Sequence, residues 1–275
     1  MKERIFDWKA QDGTFIHARE WRSDEPKGVL CIAHGLGEHI GRYEHLADWF
    51  TGKGFTVMGY DRRGHGKSGG KLGHTPNLAY LLDEIAQLLI EAETRYQKVP
   101  IFLYGHSQGG GLVLSYLLHR NPNLAGVIAS APWIRLAFEP PALLIALGKL
   151  MRRLYPAFQQ SNSLDPEALS RDPEVVEAYK NDPLVHDRVT AGAAIQMMEE
   201  GAWLEQQSAA IPCPLLIMHG TGDRVTSAEA SQRFAEKQKG EVQFKAFPDY
   251  YHELHNEPEK EAVFQLVFKW LSAHL

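Results

Sequence analysis

The strongest chemical signal in the chain is the run Gly105-His106-Ser107-Gln108-Gly109. It directly follows the β-type run Pro100–Tyr104 and opens the helical run LVLSYLLH. A serine at such a strand-to-helix turn is pushed out over the end of a sheet. The turn would crowd a Cβ two residues to either side, and Gly105 and Gly109 remove that crowding. The helix that follows aims its free N–H groups at whatever oxygen reacts there. The same five letters also occur in ordinary Gly-Ser loops. The strand before and the helix after favour Ser107 as a nucleophile.

A serine hydroxyl is inert at neutral pH until a base takes its proton, and the base needs an acid to orient it. On this kind of sheet the partners follow in the order serine, acid, histidine. Asp223, in GTGDRVT, lies just past the apolar run PLLIMHG, at the strand end where catalytic groups gather. The plain alternative is a turn aspartate. Asp249 is a backup acid, but it stands very near the candidate base in sequence. Two histidines in the loop DYYHELHN compete for the base, His252 and His255. His252 is preferred, because His255 adjoins Asn256, an expected helix cap. His34, His39, His65 and His106 all precede the serine, and His106 is expected to pack beneath the turn.

Attack on a carbonyl leaves a negative oxygen that needs two fixed donors. The backbone N–H of Gln108 is one candidate. The other is Leu36, in the segment His34-Gly35-Leu36-Gly37 after an early buried strand; the same segment also reads as a tight turn. This chemistry calls for no cofactor and no metal.

These groups need a frame. IFDWKA and TFIHAREW flank Asp12-Gly13, a hairpin signal. Apolar strand-like runs follow at Gly28–His34, Phe55–Tyr60, Pro100–Tyr104 and Leu124–Ala129, separated by helical patterns at Tyr43–Thr51, Thr75–Tyr96 and after Gly109. Strands alternating with helices predict an α/β fold with a mostly parallel sheet flanked by helices. The rhythm breaks at Pro132, after the sixth strand. Helical pieces at Pro141–Leu154, Pro173–Ala178 and Val189–Gln207 follow, joined by turn-rich linkers. Residues 132–211 are therefore expected to form a helical cap inserted between two parts of one core, 1–131 and 212–275. The α/β rhythm resumes with Pro214–Gly220, Ser227–Lys239, Glu241–Phe247 and a last helix after Asn256, with Glu259 completing a capping box. The first cap helix, PALLIALGKLMRRL, is unusually apolar. It is expected to face the core domain, a lipid-like substrate, or both, the core-facing stripe being preferred, with transient membrane-surface contact as the alternative.

Composition narrows the class. The chain has 275 residues, 44% of them hydrophobic, and a formal net charge of −5. That leaves no basic surplus for nucleic acid. No run approaches the length of a membrane span. The opening MKERIFDWKAQDG has no apolar stretch behind its basic residues, so a secretory signal is not expected and a cytoplasmic location is. The two cysteines, Cys31 and Cys213, read as buried free thiols. Oligomeric state leaves no mark on the sequence.

Taken together, HGLGEHIGRYEHLADWF, YDRRGHGKSGG, LYGHSQGGGLVLSYL, HGTGDRVT and YYHELHNEP resemble the monoacylglycerol lipase and lysophospholipase branch of the α/β-hydrolases. HGxGEHxGRY is the specific element, since many hydrolases share GHSQGG. The resemblance implies an α/β-hydrolase fold with a variable helical cap, a nucleophile at Ser107, an acid at Asp223, a base at His252, and oxyanion donors at Leu36 and Gln108. Two departures bear on substrate. Leu36 stands where members often carry alanine, which would narrow the pocket mouth. Gln108 replaces a usual methionine and is expected to make the nearby surface more polar. The implied activity is hydrolysis of monoacylglycerols to fatty acid and glycerol. A lysophospholipase, a short-chain carboxylesterase and a binding protein on a hydrolase scaffold are the alternatives.

Overall fold

The computed structural model describes residues 2–275. Strand β1 (Lys2–Lys9) turns at Asp12-Gly13 into β2 (Phe15–Arg22), with Gly13 at φ +81°. Then β3 (Gly28–Ala33), α1 (Glu44–Thr51), β4 (Phe55–Tyr60), α2 (Leu78–Arg95), β5 (Ile101–His106), α3 (Gln108–Arg120) and β6 (Gly126–Ser130) alternate. A second segment holds α4 (Ala142–Leu154), β7 (Gln159–Ser161), α5 (Pro173–Asn181), β8 (Arg188–Thr190) and α6 (Ala191–Gln206). The chain closes with β9 (Leu215–Gly220), α7 (Ala228–Lys237), β10 (Val242–Phe247) and α8 (Lys260–Ala273).

The main sheet has eight strands in the order β1-β2-β4-β3-β5-β6-β9-β10. The β1–β2 and β2–β4 pairs are antiparallel and the others parallel. Every residue of β3, β4, β5, β6 and β9 is buried, which is why these strands read as unbroken apolar runs. Along β3 the side chains alternate between two cores. Val29, Cys31 and Ala33 join Ile85, Val113 and Phe234 on one face, while Leu30 and Ile32 join Phe50, Phe264 and Trp270 on the other. At the edge, β10 alternates half-buried Val242, Phe244 and Ala246 with exposed Gln243 and Lys245. Cys31 and Cys213 are buried and unpaired.

Several local expectations are corrected. Helix α2 begins at Leu78, three residues later than the pattern from Thr75 predicts. Asn256 does not cap α8. It lies in a short 3-10 turn, Leu254–Asn256, where its Nδ2 donates to Glu253 Oε2 at 2.7 Å, and α8 starts at Lys260 without a side-chain cap. The Glu253 carboxylate orients the Asn256 side chain through Nδ2, and the helix begins four residues later, too far on for Asn256 to be its cap. The antiparallel pair β7–β8 was not expected, since QQS and RVT are too short to show a period.

Helix α4 departs most. Its leucines do not face the core: Leu143, Leu147 and Leu154 are 79, 51 and 69% exposed, and no residue of the helix is fully buried. It leans on α6 at Gly148, where a Cβ would come within 3.0 Å of Ile195, and otherwise roofs an open cavity. Among the described residues no helix is long and apolar enough to cross a membrane.

Candidate active site

The carboxyl ends of β3, β5, β9 and β10 open on one side of the sheet, and the loops leaving them meet there. At the end of β5, Ser107 adopts φ +54° and ψ −118°, a conformation that costs a residue with a Cβ of order 1–3 kcal/mol and persists only where the surroundings enforce it. The enforcement is visible. Ser107 N–H donates to the Ser130 carbonyl at 3.0 Å, and its own carbonyl accepts from Gly111 N at 3.0 Å and Trp133 N at 2.8 Å. A Cβ on Gly105 would lie 2.2 Å from the Gly109 carbonyl oxygen, and one on Gly109 would lie 2.1 Å from the Ala33 carbonyl oxygen. Both glycines are therefore required by close backbone approach.

The three distant side chains come together. Ser107 Oγ lies 2.8 Å from His252 Nε2, and His252 Nδ1 lies 2.7 Å from Asp223 Oδ2. Asp223 Oδ1 accepts from the Val225 and Thr226 N–H groups at 2.7 and 3.1 Å, so the carboxylate is held by its own loop. A carboxylate only accepts, which sets His252 as the Nδ1–H tautomer with Nε2 free to accept the serine proton. Burial alone would lower the pKa of His252. The Asp223 carboxylate outweighs it, and the net shift is upward. Burial would likewise raise Asp223, but the charge and hydrogen bonds of His252 and His219 hold its carboxyl well below the usual range.

The competing candidates sit elsewhere. His255 is fully buried, stacked on Tyr43 at 4.7 Å between ring centroids, and neither of its ring nitrogens is bonded among the described residues. Asp249 is exposed at φ +63° and makes no hydrogen bond to either histidine. His106 packs beneath the turn, 4.8 Å from the His252 ring, where burial and the neighbouring His252 push its pKa down to about 3.

The segment after β3 lies directly against Ser107. A Cβ on Gly35 would be 3.2 Å from the Ser107 Cβ. Gly35 N donates to Glu38 Oε1 at 2.5 Å, and the Gly37 carbonyl accepts from His186 N at 2.9 Å. Neither the Leu36 nor the Gln108 backbone N–H donates to an acceptor among the described residues, which leaves both free for a ligand. The side chain of Gln108 corrects an expectation. It does not make the reacting surface polar, because it is buried and its Oε1 accepts from Arg62 Nη2 at 2.6 Å. Leu36 does line the cavity above the serine.

That cavity has a volume of about 590 Å³. Leu36, Trp133, Phe138, Leu144, Ile195 and Met198 supply apolar wall, and polar groups that include Ser107, His252, Asn162, Ser163, Tyr179 and Arg224 also line it. Glu38 and Glu253, also in the lining, belong to a buried cluster that was missed from the sequence. There Arg42 forms two hydrogen bonds to Glu253, 2.6 and 2.8 Å, and a third to Glu38 at 3.1 Å. Burial raises the pKa of Glu38, and Glu253 adds to it; Glu253, buried as well, is held well below its usual range by Arg42. The i,i+4 spacing of Glu38 and Arg42 was a legible signal, whereas the Glu253 contact spans most of the chain. His219, at the end of β9, was also missed, although its spacing from Asp223 is the same.

A family model described as serine aminopeptidase, S33, matches residues 24–259. A monoacylglycerol lipase of Mycolicibacterium smegmatis is 37% identical, covering 93% of this chain and 92% of that protein. A monoglyceride lipase of Rattus norvegicus is 29% identical over 95% of this chain and 88% of its own. Among solved structures, a monoacylglycerol lipase of Paleococcus ferrophilus superposes with a TM-score of 0.85 at 32% identity, and the match covers 100% of both chains.

Proposed function

The chain belongs to the serine aminopeptidase S33 family, in the monoacylglycerol lipase branch of the α/β-hydrolases, and on that premise we propose that this carboxylic ester hydrolase cleaves monoacylglycerols to fatty acid and glycerol. The observation that carries the reading is the hydrogen-bonded run Ser107 Oγ, His252, Asp223 on the floor of a cavity whose lining combines apolar side chains with polar ones. An acyl chain gains about 0.8 kcal/mol for each methylene buried, so the apolar wall favours a long chain. A glycerol head group needs polar partners when it leaves water, and Asn162, Ser163 and Tyr179 in the cavity lining offer them.

In the proposed reaction His252 Nε2 takes the Ser107 proton as Oγ attacks the ester carbon. Asp223 holds the Nδ1–H tautomer and stabilises the imidazolium. The oxygen of the tetrahedral intermediate accepts from the Leu36 and Gln108 N–H groups; one such donor is worth about 3 kcal/mol of barrier. The imidazolium gives its proton to the leaving glycerol oxygen as the C–O bond breaks. Water, deprotonated by the same histidine, then attacks the acyl-enzyme, and collapse returns the proton to Ser107 and releases the fatty acid.

Residues 132–211 act in this reading as a cap over the acyl site. The exposed leucines of α4, beside Lys149, Arg152 and Arg153, fit brief contact with a lipid surface from which substrate is drawn. The deciding experiment is a set of kcat/KM values over monoacylglycerols of increasing chain length, lysophospholipids and short esters, with Ser107→Ala as control. Rising values with acyl length support the reading. A clear preference for acetyl or butyryl esters replaces it with a small-ester carboxylesterase, and a preference for lysophospholipids with a lysophospholipase. No turnover and no fluorophosphonate labelling would leave a binding protein.

A further inference from the structure

Asp223 is shared by two histidines. His219 Nε2 lies 3.0 Å from Asp223 Oδ2, the same oxygen that His252 Nδ1 reaches at 2.7 Å, and the His219 and Asp223 side chains are both fully buried. The Thr226 hydroxyl is a third neighbour of that oxygen at 3.0 Å. At the other side of the His219 ring, Nδ1 lies 2.9 Å from Ser231 Oγ on α7. The partners assign the protons. A carboxylate and the Thr226 carbonyl, 3.2 Å away, can only accept from Nε2, so Nε2 carries the hydrogen. In a neutral ring Nδ1 then accepts, and the Ser231 hydroxyl supplies the donor.

This arrangement does more than fill space. Each N–H that points at Oδ2 takes up part of its negative charge, and what remains is what stabilises the imidazolium of His252. We propose that His219 is a positioning residue for the ester hydrolysis: it anchors the acid's reacting oxygen and, by sharing that oxygen, tempers the proton affinity of the base. The inference rests on the Ser107–His252–Asp223 reading given above.

The other charged groups around the pair stay in place when His219 is changed. His252 also faces His106, and it feels Glu253 and Glu38 with their partner Arg42. On the His219 side, Glu229 at the start of α7 is the nearby acid.

The test compares His219→Leu with His219→Gln in the whole chain, by kcat, KM and the pH profile of kcat/KM, with thermal melting measured for each. Leucine removes the donor. Loss of one hydrogen bond to a charged group predicts a fall in kcat of about tenfold or more with KM little changed. The acid limb should move to higher pH, because the full charge of Asp223 then falls on His252. Glutamine places an amide N–H close to the former Nε2 and should restore both kcat and the limb. If the leucine protein does not fold, His219→Asn, whose amide stops short of Oδ2, makes the same comparison with glutamine. An acid limb that stays put in the leucine or asparagine protein, or moves to lower pH, overturns the proposal, and so does a glutamine variant no better than leucine. A fully active Ser107→Ala would instead mean that the triad reading had failed; an inactive Ser107→Ala with an unmoved limb in His219→Leu removes only the role of His219.

Discussion

Arg42 grips Glu253, the residue after the candidate base, through two hydrogen bonds of 2.6 and 2.8 Å, and its third reaches Glu38 beside the loop of Leu36. One guanidinium thus ties the segment carrying His252 to the segment carrying a candidate oxyanion donor. All three side chains are nearly inaccessible. Arg42→Met would leave two buried carboxylates with no cation between them. Removing one partner of a buried pair costs about 3–5 kcal/mol, so chemical denaturation should show a loss of that size, with activity falling in the same protein. A loss below about 1 kcal/mol, the range of surface pairs, would contradict it.

Ser107→Ala should lower kcat by about a million-fold, the scale seen when the nucleophile of such a triad is removed. Its fold should survive, since alanine also carries a Cβ at the strained position. Fluorophosphonate labelling of the wild type, lost in the variant at unchanged melting temperature, is the check; persistent labelling would assign the nucleophile elsewhere.

The upward shift of His252 has a definite consequence for pH. The base must be neutral to act, and its proton leaves at a higher pH than the ordinary 6.5. The acid limb of kcat/KM is therefore expected above 6.5. Asp223→Asn removes the charge responsible and should move the limb downward while lowering the rate. A raised folded-state pKa also contributes stability that is complete below the unfolded value and lost as pH rises through the folded one. A wild-type limb well below 6.5 would be incompatible with the Asp223 contact.

Gly109→Ala would drive a Cβ to within 2.1 Å of the Ala33 carbonyl and 2.5 Å of that of His34. Backbone cannot yield as a flexible side chain does, so about 3 kcal/mol or more of stability should be lost. Melting curves decide, and a variant that melts like wild type would show that the turn is looser than described.

Leu143, Leu147 and Leu150 on α4 are each at least half exposed. Changing all three to serine should cost no more than about 0.5 kcal/mol of stability apiece and weaken sedimentation with anionic lipid vesicles. Vesicle binding that is absent in the wild type at low salt removes the membrane contact altogether.

The parallel strands were legible because burial on both faces demands unbroken apolar runs, and the sharp turn at Ser107 was legible because close approach at Gly105 and Gly109 admits only glycine. Asn256 misled the reading of α8, since an asparagine ahead of a helical pattern can be a cap or part of a preceding turn, and only the fold decides where the helix starts. The leucines of α4 misled it further. A helical stripe specifies an apolar face but says nothing about what that face meets.

The sequence by itself therefore determined the alternation of strands and helices, the chemical types available for acyl transfer and the chain order in which they occur, because these depend on local sterics and periodicity. Only the tertiary structure decided which histidine reaches Ser107, that His219 shares the oxygen of Asp223, and that Arg42 joins Glu38 to Glu253. Those choices are made by distances between segments far apart along the chain, where packing of the whole sheet fixes the outcome and no local pattern records it.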